Sequence, residues 1–315
     1  AVETTTFSNN SADTWFRDIM FDCVLCPRAC HVNRLAGQTG YCGQTAELMA
    51  ARASLHYWEE PCISGTSGSG TVFFSGCNLR CVFCQNHNIA LGKAGRVIAP
   101  EHLAEIFLQL QEQGANNINL VTPTHFLPQI VIALEQAKQQ GLHLPIVYNT
   151  GSYESPEALR HLEGLVDIYL PDLKYFSPEL STAYSHAPDY FETACAAISE
   201  MYRQVGDSVI DEDTGLMQHG MIVRHLLLPG QTKDSKKILR YLHETYGDHI
   251  YISIMNQYTP LPQVADIEVL NRTVTPEEYD RVLRFAERIG IERGFRQEGT
   301  AASESIIPEF DERGL

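Results

Sequence analysis

The stretch that decides the fold spans residues 76–86 and reads GCNLRCVFCQN. Its three cysteines, Cys77, Cys81 and Cys84, are spaced C-x3-C-x2-C. Thiolates at this spacing suit an iron–sulfur cluster, which normally takes four cysteine ligands. Because only three ligands are local, the pattern predicts a cluster with one iron left open to a small molecule.

The residues that precede this motif indicate its place in the fold. Residues 71–76 read as a buried strand that stops at glycine, because the run is apolar and short. The cysteines therefore follow the carboxyl end of a strand. Barrels of the α/β class place their chemistry at that end.

This combination resembles the radical S-adenosylmethionine (radical SAM) superfamily. GCNLRCVFCQN is similar to the branch related to pyruvate formate-lyase activating enzymes, and residues 56–65 and 68–71 narrow the resemblance to a subgroup of uncharacterised iron–sulfur proteins. The resemblance covers nearly the whole chain. It implies a partial (β/α)6 TIM-like barrel and two cofactors, a [4Fe–4S] cluster and S-adenosylmethionine. It also implies a low-potential electron donor such as flavodoxin or ferredoxin.

Strand and helix patterns alternate through the middle of the chain and predict an α/β fold. Strands are expected at 71–76, 116–121, 145–149, 166–171, 221–228 and 249–255. Helical patterns lie near 100–113, 128–140, 155–163, 188–205 and 233–245. Strands that alternate with helices imply a parallel sheet with right-handed crossovers. The alternative is a doubly wound open sheet, but no Gly-x-Gly-x-x-Gly fingerprint follows any strand.

We expect three regions along the chain. These are a cysteine-rich N-terminal module over 1–65, the radical SAM partial barrel over 66–260, and a C-terminal extension over 261–315 with a helix at 276–289.

Composition narrows the class of protein. The formal charge of −16 argues against nucleic acid or an anionic membrane as a partner. No apolar run approaches the ~20 residues that span a bilayer, and the polar residues 1–13 do not form a signal peptide. Nine cysteines without a secretion signal indicate a reducing compartment, which we take to be the cytoplasm.

Polar residues follow the predicted strands where each one ends, and parallel strands bring such ends to one edge. S-adenosylmethionine needs polar partners for its amino, carboxylate and ribose groups and an apolar wall for its adenine. The resemblance assigns cofactor-facing or substrate-facing positions to one set of residues, in which the aromatic ring contacts adenine: Phe83, Asn149, Thr150, Asp172, Lys174, Arg224 and Tyr258. The alternative for each residue is a strand-end cap or a surface group.

The segment after the second strand departs from the activating-enzyme pattern. Those enzymes have a Gly-Gly-Glu stretch there, whereas this chain has VTPTH over residues 121–125. Thr122 and Thr124 offer carbonyls and hydroxyls to the same methionine ammonium. His125 is new in this place, and both a structural and a functional role stay open. The change argues against a direct transfer of glycyl-radical activase function.

A second group of cysteines precedes the first. Cys23, Cys26, Cys30 and Cys42 are spaced C-x2-C-x3-C-x11-C. Four thiolates on short loops suit structural zinc or an auxiliary [4Fe–4S] cluster, and a module without metal is the third alternative. Cys62 is either a further ligand or redox partner, or a buried inert thiol.

These features predict a radical SAM oxidoreductase. A reduced [4Fe–4S] cluster would cleave S-adenosylmethionine to a 5′-deoxyadenosyl radical, which abstracts hydrogen from a substrate. The substrate is a protein or peptide, as for glycyl-radical activases, or alternatively a small metabolite. A non-catalytic iron–sulfur or zinc scaffold or sensor is the third hypothesis, and the intact cysteine triplet argues against it.

Overall fold

The computed structural model describes residues 11–297 and 309–315. The polar N-terminal residues 1–10 and part of the predicted C-terminal tail, 298–308, lie outside the described residues. Within the described ranges the strands are β1 (Met49–His56), β2 (Ser69–Phe74), β3 (Arg96–Val97), β4 (Ile118–Val121), β5 (Ile146–Thr150), β6 (Ile168–Pro171), β7 (Val209–Ile210), β8 (Met217–Leu226), β9 (Tyr251–Met255) and β10 (Gly294–Arg296). The α-helices are α1 (Ser11–Phe21), α2 (Pro61–Ser64), α3 (His87–Ala90), α4 (Pro100–Glu112), α5 (Leu127–Gln139), α6 (Pro156–Leu159), α7 (Pro178–Ser185), α8 (Tyr190–Val205), α9 (Thr232–Tyr246) and α10 (Pro276–Ile289).

The strands form one mixed sheet that is not closed into a full barrel. Its order is β10-β9-β8-β6-β5-β4-β2-β1-β3, and β7 pairs with β8. The run from β2 to β10 is parallel, whereas β1 lies antiparallel on β2 and carries β3 at the edge. This arrangement confirms the predicted α/β fold with a partial parallel barrel.

Burial explains why the middle strands formed as predicted. Every residue of β2, β4, β5 and β6 is buried, because helices cover a parallel sheet and its strands become continuous apolar runs. The first strand ends two residues earlier than predicted. The Ser75 N–H still donates to the Met49 carbonyl of β1 at 3.0 Å, and the chain leaves the sheet at Gly76, whose φ of 88° favours glycine.

Some elements escaped prediction. Residues 49–56 form β1, and residues 178–185 form α7, while the predicted helix at 155–163 divides into α6 and a 3-10 turn. The C-terminal segment returns to β1, where the Glu312 N–H donates to the Ala51 carbonyl at 2.9 Å. The three-region division of the sequence stays a prediction. Among the helices of the described ranges, none combines the length and the apolar character that crossing a bilayer would demand.

Candidate iron–sulfur and cofactor site

The three-cysteine loop follows β2 directly, and two of its sulfurs accept hydrogen bonds. The Leu79 N–H donates to Cys77 Sγ at 3.4 Å, and the Ser185 hydroxyl donates to Cys81 Sγ at 2.9 Å. Arg80 holds a left-handed φ of 52°, an unusual conformation for a residue with a Cβ. Donors directed at sulfur stabilise thiolates over thiols. The loop is therefore shaped for sulfur ligands that carry negative charge.

Buried thiols and positively charged or donor groups lie together at this loop. Burial raises the pKa of the Cys77 thiol, and it raises that of Cys84 to about 12, so a metal that binds here must displace their protons. The Arg80 Nε–H is buried and has no hydrogen-bond partner among the described residues. Three free thiols with N–H, O–H and guanidinium groups beside them match the chemistry of an iron–sulfur cluster.

A cluster of charged side chains lies at the carboxyl ends of β5, β6 and β8. Lys174 Nζ donates to Asp172 Oδ2 at 3.0 Å, and Arg224 Nε donates to Asp172 Oδ1 at 3.3 Å. Arg224 also donates to Asn149 Oδ1 at 2.5 Å and to Glu59 Oε2 at 3.0 Å. The structure thus brings together four of the predicted strand-end residues and adds Glu59. We call these five residues the strand-end charge cluster.

In the strand-end charge cluster, ion pairing shifts the pKa values more than burial does. Burial alone would raise the pKa of Asp172, but Lys174 and Arg224 hold it below its ordinary value. Burial would likewise lower the pKa of Lys174, but Asp172 and the Cys81 thiol raise it. Both side chains are therefore charged at neutral pH.

Lys174 connects this charge cluster to the cysteine loop. A Cβ built on Gly151 would lie 2.8 Å from Leu79 Cδ1 and 3.5 Å from Lys174 Cε. Leu79 of the loop and Lys174 therefore both lie against the backbone of Gly151, which has no side chain. The positive charge of Lys174 also lowers the thiol pKa of Cys77 and Cys84, against the larger rise caused by burial.

Glu60 is a buried carboxylate beside the same arginine. Its Oε2 lies 4.0 Å from Arg224 Nη1 and has no hydrogen-bond partner among the described residues. Burial raises the pKa of Glu60, and the neighbouring Glu59 charge adds to the rise. A buried acceptor without a donor is a position that a bound polar group can satisfy.

Phe83 and Tyr258 form an aromatic wall below the loop. The Phe83 ring centroid lies 6.1 Å from those of Tyr184 and Tyr258 and 6.3 Å from that of Tyr175. The Tyr258 hydroxyl donates to the Leu270 carbonyl at 2.5 Å, so that hydroxyl is committed to the backbone. The Tyr258 ring, and not its hydroxyl, faces Phe83.

The predicted threonines Thr122, Thr124 and Thr150 lie at the ends of β4 and β5. Thr122 holds a left-handed φ of 56°, and Thr124 is buried. Thr150 Oγ1 accepts from the Ser152 N–H at 3.0 Å. The Thr150 hydroxyl therefore shapes the turn after β5.

Glu154 is a buried acid behind these threonines, and it predicts a dependence of stability on pH. The Tyr148 hydroxyl donates to Glu154 Oε2 at 2.7 Å. Burial raises the pKa of Glu154 to about 7, from an ordinary 4.5. Between these values the folded protein keeps a proton that the unfolded chain has released, so Glu154 alone should lower the free energy of unfolding by about 3 kcal/mol as pH rises through this window, whereas the buried His125 and His225, whose pKa burial lowers, act in the opposite direction.

Urea unfolding between pH 4.5 and 8 measures this effect. Compared with wild type, Glu154→Gln should lose the Glu154 contribution to the pH profile, because the amide oxygen still accepts from Tyr148 and never ionises. The exposed Glu157 on α6 offers the control, and Glu157→Gln should keep the wild-type slope. A Glu154→Gln protein with the wild-type slope would contradict the assignment.

The second group of cysteines surrounds a cavity against the barrel. Cys23, Cys26, Cys30 and Cys42 line it together with Arg34 and His125. Ala29 and His31, on either side of Cys30, hold left-handed φ angles of 44° and 55°. The loop around Cys30 is therefore bent as tightly as the loop around Cys81.

Arg28 joins this N-terminal module to the first cysteine loop. Its guanidinium lies 3.8 Å from the Tyr41 ring centroid and donates to the carbonyls of Asn78, Ser185 and His186 at 2.8, 2.9 and 2.6 Å. The Tyr41 hydroxyl donates to the Leu79 carbonyl at 3.1 Å. Cys62 is buried among Ile63, Val147 and Met217, outside both cysteine groups.

Several residues that contact the cysteine loops or Arg224 were not predicted from the sequence. Glu59 and Glu60 precede Pro61, the first residue of α2, and this acidic pair ahead of a proline was the available signal. Ser185 and Arg28 carry no local pattern, because Ser185 bonds to Cys81 from 104 positions away and Arg28 bonds to Asn78 from 50 positions away.

A cysteine triplet at the end of a buried parallel strand, in an open α/β barrel, defines a class of iron–sulfur proteins. The radical SAM superfamily profile matches residues 71–242, more than half of the chain, and the chain belongs to that superfamily. Its enzymes use a [4Fe–4S] cluster and S-adenosylmethionine, and these are the cofactors of this protein.

Relatives extend the likeness beyond the profile. An uncharacterized protein of Methanocaldococcus jannaschii is 27% identical over 286 residues, which cover 88% of this chain and 77% of that protein. A pyruvate formate-lyase-activating enzyme of Clostridium pasteurianum is 29% identical over 121 residues, which cover 36% of this chain and 48% of that enzyme.

Solved structures resemble the chain at low identity. A radical SAM methyltransferase from Sphaerobacter thermophilus is 16% identical with a TM-score of 0.48, over 74% of this chain and 67% of that one. Streptococcus suis SuiB bound to S-adenosylmethionine is 12% identical with a TM-score of 0.47, over 72% of this chain. The chain spans about half the length of SuiB, 49%.

Proposed function

We propose that this protein is a radical SAM enzyme that abstracts hydrogen from a protein or peptide substrate, and that Cys77, Cys81 and Cys84 hold its catalytic cluster. The observation that carries the proposal is the contact of the strand-end charge cluster with the cysteine loop over Gly151. When bound, the cluster supplies the electron that cleaves S-adenosylmethionine, and the radical released takes a hydrogen atom from the substrate.

The chain's own residues bind and orient the reactants. Lys174, Arg224 and Asn149 offer charged and amide groups to the polar parts of cofactor or substrate, and Phe83 offers an apolar wall to adenine. Thr122 and Thr124 offer oxygen atoms to the methionine ammonium. Because the charge cluster is nearly buried, its hydrogen bonds form away from water and are stronger for it.

Two exposed aromatic residues support a polypeptide as the substrate. Trp58 is 67% exposed and Tyr57 is 52% exposed, and both precede Glu59, which binds Arg224. Large aromatic side chains are the usual anchors for polypeptide partners. The similarity to a pyruvate formate-lyase-activating enzyme is in line with such a substrate.

A small metabolite is the second candidate, and Glu60 favours it. The unpartnered Glu60 Oε2 lies beside Arg224 in a buried, highly charged setting. A small molecule with an amino or hydroxyl group would satisfy this acceptor. A polypeptide side chain would have to reach past Glu59 to do so.

The proposal includes a cytoplasmic location and a low-potential reductant such as flavodoxin or ferredoxin. The nine cysteines are all unpaired in the structure, which suits a reducing compartment.

Anaerobic turnover tests the proposed function. Reconstituted protein is incubated with S-adenosylmethionine and dithionite, alone and with either the protein fraction or the small-molecule fraction of a cell extract. Mass spectrometry follows methionine and 5′-deoxyadenosine. We expect product formation to rise with the protein fraction. A rise only with small molecules would favour the second candidate, and no products under any condition would refute the enzyme assignment.

Lys174→Ala should lower productive turnover while the fold and the cluster survive. Asp172 keeps its bond to Arg224 in this variant, so the site loses only the ammonium that lies beside the cysteine loop. We expect a fall of about tenfold or more, equal to ~1.4 kcal/mol of transition-state stabilisation. The exposed Lys233 on α9 provides the control, and Lys233→Ala should turn over as wild type. Wild-type turnover by fully loaded Lys174→Ala protein would rule out a functional role.

A further inference from the structure

The N-terminal cysteines enclose a space and do not converge on a point. Cys23, Cys26, Cys30 and Cys42 line one small cavity, part of which opens to solvent. We call it the cysteine cavity. Tetrahedral zinc with Zn–S bonds of ~2.3 Å holds its sulfurs about 3.8 Å apart. Among the residues that the structure describes, no three His, Cys, Asp or Glu side chains are gathered closely enough to hold one metal ion.

Arg34 places a buried positive charge at the wall of this cavity. It is 2% exposed, and its guanidinium donates to the Thr45 carbonyl at 2.9 and 3.3 Å and to Cys23 Sγ at 3.9 Å. It pairs with no carboxylate within residues 11–297 and 309–315. A buried cation needs an anion nearby. Thiolates that bind a metal supply that anion, whereas neutral thiols do not.

His125 presents a free ring nitrogen at the same wall. The residue is 2% exposed, and its Nε2 lies 2.5 Å from the Ser75 carbonyl oxygen. Because a carbonyl only accepts, Nε2 carries the proton, and in the neutral ring Nδ1 keeps a lone pair. Nδ1 has no partner among the described residues. An imidazole that donates one N–H to a backbone carbonyl and leaves the other nitrogen free has the arrangement of a metal-site histidine.

We infer that Cys23, Cys26, Cys30 and Cys42 bind a second, polynuclear iron–sulfur cluster, with Arg34 as its buried counter-charge and His125 Nδ1 beside it. The spread of the thiols around a cavity suits a ligand larger than a single ion, the unpaired arginine calls for negative charge, and the free imidazole nitrogen offers a lone pair to a donor or a metal. This site goes beyond the proposed function, which needs only the cluster at Cys77, Cys81 and Cys84.

The second site lies directly against the first cysteine loop. A Cβ built on Gly76, the residue before Cys77, would lie 2.9 Å from the Cys42 carbonyl oxygen. Arg28 and Tyr41 bond to the backbone of Asn78 and Leu79. The two cysteine groups therefore share one packed unit. A change of charge at one site should change the electrostatic potential at the other.

Iron counting in a protein that lacks the first site tests the inference. In full-length Cys77/Cys81/Cys84→Ala protein, reconstituted anaerobically with iron and sulfide, we expect about four irons and four sulfides per chain, against about eight of each in wild type. Adding Cys26→Ala should remove the remaining iron, whereas adding Cys62→Ala should not. One zinc and no iron per chain, or no metal at all, would overturn the inference. Neither result depends on S-adenosylmethionine chemistry.

Wild-type protein provides a second measurement in case the multiple variants do not fold. Electron paramagnetic resonance of the reduced protein should contain two cluster signals, and S-adenosylmethionine should perturb only one of them. A single signal that integrates to one cluster per chain, together with about four irons, would refute the second cluster.

Discussion

Replacing Cys81 by alanine is expected to abolish cleavage of S-adenosylmethionine. Cys81 is the central cysteine of the loop, it accepts from the Ser185 hydroxyl at 2.9 Å, and its thiol lies in the field of Lys174. Losing it leaves two of the three local ligands. We expect turnover to fall by about a thousandfold or more, equal to ~4 kcal/mol. Iron content should also fall by about four per chain.

Product analysis and the reduced spectrum check this result together. The spectral shift that S-adenosylmethionine causes in wild-type protein should vanish in the variant. Cys195 on α8 lies outside both cysteine groups, so Cys195→Ala should keep iron, shift and turnover. If Cys81→Ala protein still releases methionine and 5′-deoxyadenosine at the wild-type rate, the cluster is held elsewhere.

Arg224→Met should cause the largest loss of stability. The arginine binds Asp172, Glu59 and Asn149 and is 13% exposed, so its removal leaves Glu59 without a cation beside the buried Glu60 and leaves Asp172 with Lys174 alone. Breaking a buried ion pair by removing one partner costs about 3–5 kcal/mol. Urea unfolding of the holoprotein at neutral pH measures the change.

A surface arginine with two carboxylate partners provides the matched control. Arg203 pairs with Glu163 and Glu200 but is 52% exposed, so Arg203→Met should cost only about 0–1 kcal/mol. Adding Glu59→Gln to Arg224→Met should restore part of the lost stability, because the orphaned Glu59 charge disappears. Equal, small effects of the two arginine variants would show that the charge cluster is solvated.

The barrel could be predicted from the sequence because its strands are buried on both faces. Runs such as the one at 118–121 carry apolar residues without alternation, and α10 was predicted with its observed bounds because Pro276 and Gly290 mark its two ends. β1 was not predicted. It is only partly buried and lies antiparallel at the outer side of β2, and its sequence lacks a continuous apolar run.

The residues of the candidate site could be predicted from the sequence only in part. Asp172 and Lys174 were expected to lie beside Arg224, because polar residues at the ends of parallel strands meet at one edge. Glu59 was not expected there, since 165 positions separate it from Arg224 and it precedes the barrel. Arg34 was also not predicted to be a buried cation beside the cysteines, because no local sequence pattern shows that this side chain is buried.

The contacts of Arg28 also set an order of events in the cell. Its partner His186 lies 158 positions further along the chain. At about 5–20 residues per second, a ribosome needs roughly 8 to 30 seconds to make that stretch. During this interval the loop that carries the four N-terminal thiols lacks the backbone carbonyls of Ser185 and His186 that Arg28 binds. We therefore expect this loop to reach its final packing only after residue 186 has been made, and its thiols to need a reducing environment until then.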